Sequence, residues 1–164
     1  MEYDWPTKCF SDGDKDHDLF LLFSRSYYLT KRARERELQR YDLTPEQAQI
    51  LYFVRIMKNR ASPAEISRVV LRKPHSVSSI VERMVKRGLL KKTEHAKYKN
   101  RIRLSITEKG EEYYQLSAKR GPIRRILNML SDEDRKVFRQ FLEKISEKAA
   151  DELGLTRPDL PPSE

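Results

Sequence analysis

Two short helices in this chain begin with nearly the same words. Thr44-Pro45-Glu46-Gln47 and Ser62-Pro63-Ala64-Glu65 each offer a hydroxyl N-cap, a proline at the first helical position and a capping-box partner three residues on. The first of these helices should run to about residue 58 and the second to about residue 71. Lys73-Pro74 interrupts the pattern, and a third helix follows to about Arg87, where Gly88 serves as the C-cap. Beyond that glycine the period changes. Residues 89–94 read as one strand. In the next, Ile102, Leu104 and Ile106 alternate with Arg101, Arg103 and Ser105, as in a half-buried strand. The polar, basic stretch 95–100 lies between them as a turn. Two short helices around a tight break, followed at once by a hairpin, read as a helix-turn-helix with a wing.

Long helices flank this lobe. From about residue 14 to 40 the apolar residues recur in three- and four-residue steps, giving an amphipathic helix of roughly 40 Å. Asp14, Asp16 and Asp18 stand at its start, where negative charge meets the positive end of the helix dipole. After the wing, a helix from about Thr107 should kink or break at Gly121-Pro122. Ser131-Asp132-Glu133-Asp134 caps a last helix, with Val137, Phe138, Phe141, Leu142 and Ile145 along one face and Gly154 at its end. The apolar faces at both ends exceed what a lobe of this size can cover, which points to dimerisation. The expected fold is mainly α with a small β wing. It divides into an irregular arm (1–13), a dimerisation helix (14–41), a winged helix-turn-helix lobe (42–110), C-terminal dimerisation helices (111–154) and a Pro-rich tail (155–164).

Charge singles out the middle of the chain. Residues 60–110 hold 14 Lys/Arg against four Glu, while the remainder holds 20 basic and 21 acidic side chains. A local basic patch of this kind suits a polyphosphate partner. The third helix separates into two faces: Val77, Ile80, Val81 and Met84 turn inward, and Ser76, Ser79, Arg83, Lys86 and Arg87 fall on the other side. Small hydroxyls near a helix start allow close approach to a DNA groove, and an arginine fork fits a guanine edge or a phosphate. The expected recognition residues are Lys73, His75, Ser76, Ser78, Ser79, Arg83 and Lys86. Lys97, Lys99, Asn100 and Arg101 are the expected wing contacts, of a size to enter a minor groove. Tyr27, Tyr28, Tyr52 and Arg55 are candidates for an inter-helix effector pocket.

Other chemistries find no support. Residues 12–18 hint at a calcium loop, but His17 stands where glycine is required and Phe23 where the bidentate glutamate belongs. His17, His75 and His95 lack ligand spacing and Cys9 has no cysteine partner, so neither a metal site nor a disulfide is expected. No phosphate loop, nucleophile elbow or paired catalytic carboxylates occur, so neither an enzyme nor a cofactor is expected. No apolar run approaches the roughly 20 residues that span a bilayer. The start Met1-Glu2-Tyr3-Asp4-Trp5 is no secretory signal, and a reducing cytosol is the expected location.

The sequence resembles MarR-type winged-helix transcriptional regulators, of bacterial or archaeal type, over nearly all of residues 14–154. The resemblance lies in Leu43-Thr44-Pro45-Glu46-Gln47, in Ala64-Glu65-Ile66-Ser67, in the run from Ser76 to Met84, in Lys86-Arg87-Gly88-Leu89-Leu90, and in Leu104-Ser105-Ile106-Thr107-Glu108-Lys109-Gly110. It implies an obligate homodimer joined by the first and last two helices, binding pseudo-palindromic double-stranded DNA. It also implies a small aromatic or anionic ligand that binds between the dimerisation helices and the lobe and relieves repression. Two features depart from the family. Tyr98-Lys99-Asn100-Arg101 lacks the acidic residue usual in the wing, leaving Arg101 as the heir to minor-groove insertion. Peroxide-sensing relatives keep a cysteine near the start of the first helix, where this chain has Leu19, so Cys9 is not expected to act as a thiol sensor. The competing reading is a winged-helix interaction module for an acidic protein or RNA. Tyr98 is the one aromatic residue of the wing, which makes RNA the weaker choice.

Overall fold

The computed structural model describes residues 13–95 and 98–155. The arm, with Cys9, and the tail beyond Leu155 lie outside the described residues. Helix α1 (Lys15–Gln39) opens on Asp14, whose carboxylate accepts from the backbone N–H groups of Asp16 and His17. Helix α2 (Pro45–Met57) carries the complete capping box: Thr44 Oγ1 accepts from Gln47 N–H, and the Gln47 side chain accepts from Thr44 N–H. Helix α3 (Pro63–Val69) keeps half of it. Ser62 accepts from Glu65 N–H, but the Glu65 carboxylate turns to Arg68 at 2.9 Å.

Helices α1 and α3, and the helix that ends before Gly88, share one closure. Leu43 N–H reaches Leu38 O, Arg72 N–H reaches Ser67 O and Leu89 N–H reaches Met84 O, each over a residue with positive φ. Only the last uses glycine, Gly88; the others place Asp42 and Leu71 in the left-handed region. That is why α3 stops short of residue 71. Leu43 and Leu89, the residues after the closures, are buried and pull the chain back into the core.

Helix α4 (Pro74–Lys86) precedes strands β1 (Leu90–His95) and β2 (Tyr98–Ile106), which pair antiparallel with Leu90 opposite Ile106 and Lys92 opposite Leu104. The register breaks between Glu94 and His95. Tyr98, Lys99 and Asn100 belong to β2, so they are strand residues and not part of a six-residue turn. Leu104 is buried, and its N–H donates to Ala61 O at 2.9 Å, joining the wing root to the turn Lys58–Arg60 before α3. Ile102, further out, is exposed because the core ends beneath Leu104.

Thr107 caps α5 (Glu108–Ala118), accepting from Gly110 N–H while its hydroxyl donates to Gly88 O at 2.6 Å. The expected interruption is a full break: Arg120 adopts positive φ, and α6 (Gly121–Leu127) starts afresh. Glu37 of α1 accepts from both Arg34 and the Gly121 N–H, fastening α1 across the break. Helix α7 (Asp132–Glu152) opens on a capping box between Ser131 and Asp134.

The core gathers in the lobe, around Leu51, Val54, Ile66, Val77, Met84 and Leu104. Of α1 only Glu37 and Leu38 are buried; α6 and α7 bury nothing. Leu19, Phe20, Phe23 and Tyr27 on α1, and Phe138, Phe141 and Ile145 on α7, stay exposed. The terminal helices therefore carry apolar stripes that their own chain leaves bare.

Candidate nucleic-acid interface

Helix α4 is held by one side only. Val77, Ile80, Val81 and Met84 are buried, and Lys73, His75, Ser79, Arg83 and Lys86 are exposed on the side away from them. Ser76 is half-buried at the margin. Ser78, expected among the outward residues, is half-buried and lines a groove of about 850 Å³ with residues of α3 and β2. No side chain caps the start of α4. Its first-turn N–H groups and positive dipole end therefore lie beside two serines, an arrangement suited to phosphate or base contacts.

The basic segment divides by what each cation already does. Arg72 pairs with Glu46 at 2.7 Å, Arg68 with Glu65, and Lys92 with Glu82 at 3.8 Å. Lys109 donates to Arg87 O. Arg87, grouped by spacing with Lys86 on the outward face, is anchored inward. It pairs with Asp42 at 2.9 Å, donates to Gln47 and lies over the Tyr113 ring. These five residues hold the lobe together. Among the described residues, Lys73, Arg83 and Lys86 have no ion-pair partner and remain available to an anion.

Sequence reasoning overlooked Arg103. It lies half-buried in the Ser78 groove beside Arg60 and Arg68, with its Nε making no hydrogen bond. Its alternation with Leu104 put it on the solvent side of β2, but α3 covers part of that side. Lys99, Asn100 and Arg101 lie along the first part of β2, and Lys97 is outside the described residues.

The four expected effector residues fall into two settings within one chain. Tyr27 and Tyr28 are exposed on α1, and the Tyr28 hydroxyl accepts from Arg32. Tyr52, half-buried on α2, has the Arg120 guanidinium 5.5 Å from its ring centre. Arg55 pairs with Glu111 at 3.0 Å and lies 4.8 Å over Tyr114, so its charge joins α2 to α5. Among the described residues no group of three or more His, Cys, Asp or Glu side chains could hold a metal ion. None of their helices is long and apolar enough to cross a membrane.

The fold is that of solved winged-helix regulators. An organohalide-sensing transcriptional regulator in its 2,4-dichlorophenol-bound form is 23% identical with a TM-score of 0.81, covering 100% of this chain and 98% of that one. A mutant of MarR from E. coli, complexed with operator DNA, is 16% identical with a TM-score of 0.73, covering 82% of this chain and 99% of its own. CouR from Rhodococcus jostii, bound to p-coumaroyl-CoA, is 17% identical with a TM-score of 0.73, covering 81% and 94%. No curated protein matches the chain. The model of the MarR family matches residues 41–97, from the α1–α2 turn into the wing. Over these residues the winged helix-turn-helix lobe is similar to that of the MarR family.

Proposed function

We propose that the protein is a cytoplasmic homodimer that binds a pseudo-palindromic operator, represses transcription, and is released by a small aromatic or anionic effector. The observation that carries the DNA reading is the state of α4: one side is core, and the opposite side presents Lys73, Arg83 and Lys86 without an ion-pair partner among the described residues. Lys97, Lys99, Asn100 and Arg101 serve as the wing contacts in this reading. The bare apolar stripes of α1 and α7 support the dimer. Similar folds solved with operator DNA and with small ligands support the rest.

The test is binding to the operator and to unrelated duplexes across a salt series. Arg83→Ala is expected to weaken operator binding by about 1–3 kcal/mol and relax specificity near one base pair. Lys97→Ala should weaken binding to all sequences alike and lower the salt slope by about one. If both variants bind like the unaltered protein, these surfaces do not meet DNA. Preference for single-stranded RNA, or binding to an acidic protein with no affinity for duplex, would favour the interaction-module reading. The exposed side of α4 offers no Phe, Tyr or Trp on which a base could stack.

A further inference from the structure

The first helix changes character halfway. Its exposed apolar residues end at Leu29, and Arg32, Arg36 and Arg40 follow at four-residue steps along one row. Cations in such a row repel one another and weaken a helix. Elsewhere α1 balances its charges, with Lys31 on Glu35 at 3.7 Å and Arg34 on Glu37. The row faces a cleft of about 690 Å³ between α1 and the start of α6, into which Arg125 enters from the other wall. That volume suits a small ligand. Arg32 is turned toward Tyr28, whereas Arg36, Arg40 and Arg125 have no ion-pair partner among the described residues. The carboxylates lining the cleft, Glu35 and Glu37, are already paired. Gly121 keeps the floor open: an added Cβ there would stand 3.3 Å from Arg125 Nη1 and 3.4 Å from Glu37 Oε1.

We infer that this cleft binds a small molecule carrying two or more linked phosphate groups. Arg36 and Arg40 lie one helical turn apart, roughly 6 Å along the axis, and Arg125 approaches across the cleft. Forked donors converging from two elements suit adjacent phosphates better than a single carboxylate. DNA backbone could supply the same phosphates, but no described residue of α4 or the wing lines this cleft, which favours a free ligand. The site is separate from the tyrosines considered above. It rests on the regulator reading only where it would alter DNA binding.

The test is calorimetric titration of the full-length protein with inorganic tripolyphosphate. Saturable binding at one site per chain is expected. Arg36→Gln with Arg40→Gln should weaken it by about tenfold or more, and Arg36→Lys with Arg40→Lys by less, because charge survives while the fork is lost. Arg83→Ala with Lys86→Ala should leave it unchanged. If the double glutamine variant loses helical circular dichroism, Arg125→Gln takes its place. Failure to saturate at millimolar ligand, unchanged affinity in the cleft variants, or loss in the Arg83/Lys86 variant would overturn the site. So would weaker operator binding by the cleft variant without tripolyphosphate, which would make the cleft a DNA contact. Tripolyphosphate binding by a protein with no affinity for duplex would support the site and refute the regulator reading.

Discussion

Phe141→Asp is expected to turn the protein into a monomer and to lower operator affinity by about 100-fold or more. Phe141 is 58% exposed, between Phe138 and Ile145 on a helix of 21 residues that buries none of them in its own chain. A helix of this length depends on packing of its apolar face more than on intrinsic propensity. In the proposed dimer, covering a phenylalanine contributes about 1.5–3 kcal/mol, and a carboxylate in its place adds an unpaired charge. The DNA effect follows from bivalency: the second lobe of a dimer binds at high effective concentration once the first is seated. Sedimentation equilibrium gives the mass, and fluorescence anisotropy on full and half operators gives the affinity. Half-site affinity should barely change. A dimeric variant, or a monomer that binds the full operator normally, would refute this use of α7.

The second large effect has the opposite sign from what helix propensity suggests. Replacing glycine with alanine in a helix ordinarily stabilises it by about 0.5–1 kcal/mol. Gly110→Ala should instead destabilise the fold by about 3 kcal/mol. An added Cβ would lie 2.0 Å from Leu89 O and 2.8 Å from Ile106 Cγ1. The carbonyl cannot retreat freely, because it accepts from Thr107 N–H at 3.2 Å and lies beside the Thr107 hydroxyl. The conflict falls where α5, the end of α4 and the wing root meet. Urea unfolding at fixed protein concentration should show a lower midpoint with an unchanged slope. Equal or greater stability would show that this approach is not as close as described.

These two sites also show what local sequence conveys. The caps at Thr44, Ser62 and Ser131, the stop at Gly88 and the alternation into Leu104 all rest on residues within a few positions of one another, and each is present. Asp42 and Leu71 close helices without any glycine to announce it, since the buried leucine after Asp42 and the turn hydrogen bonds impose the conformation. Among the charges, spacing placed Arg83 and Lys86 outward, where they are. It could not separate them from Arg87, whose partners Asp42, Gln47 and Tyr113 are distant in sequence. Nor does spacing announce the partners of Arg55, because Glu111 and Tyr114 are equally distant in sequence. The cation count was readable, but their division between internal ties and open surface required the tertiary fold.

The bond from Leu104 to Ala61 limits how such a molecule can answer a signal. It joins the base of the hairpin to Ala61, just ahead of α3, so α3 and the hairpin root are tied together. The ligand-driven adjustment proposed for this protein would therefore be a swing of the whole reading head, not a flex of one finger. Operators with a half-site out of phase could not be accommodated by bending the hairpin alone. Compliance must reside instead in the stalk, where α1 grips the broken α5–α6 junction through Glu37.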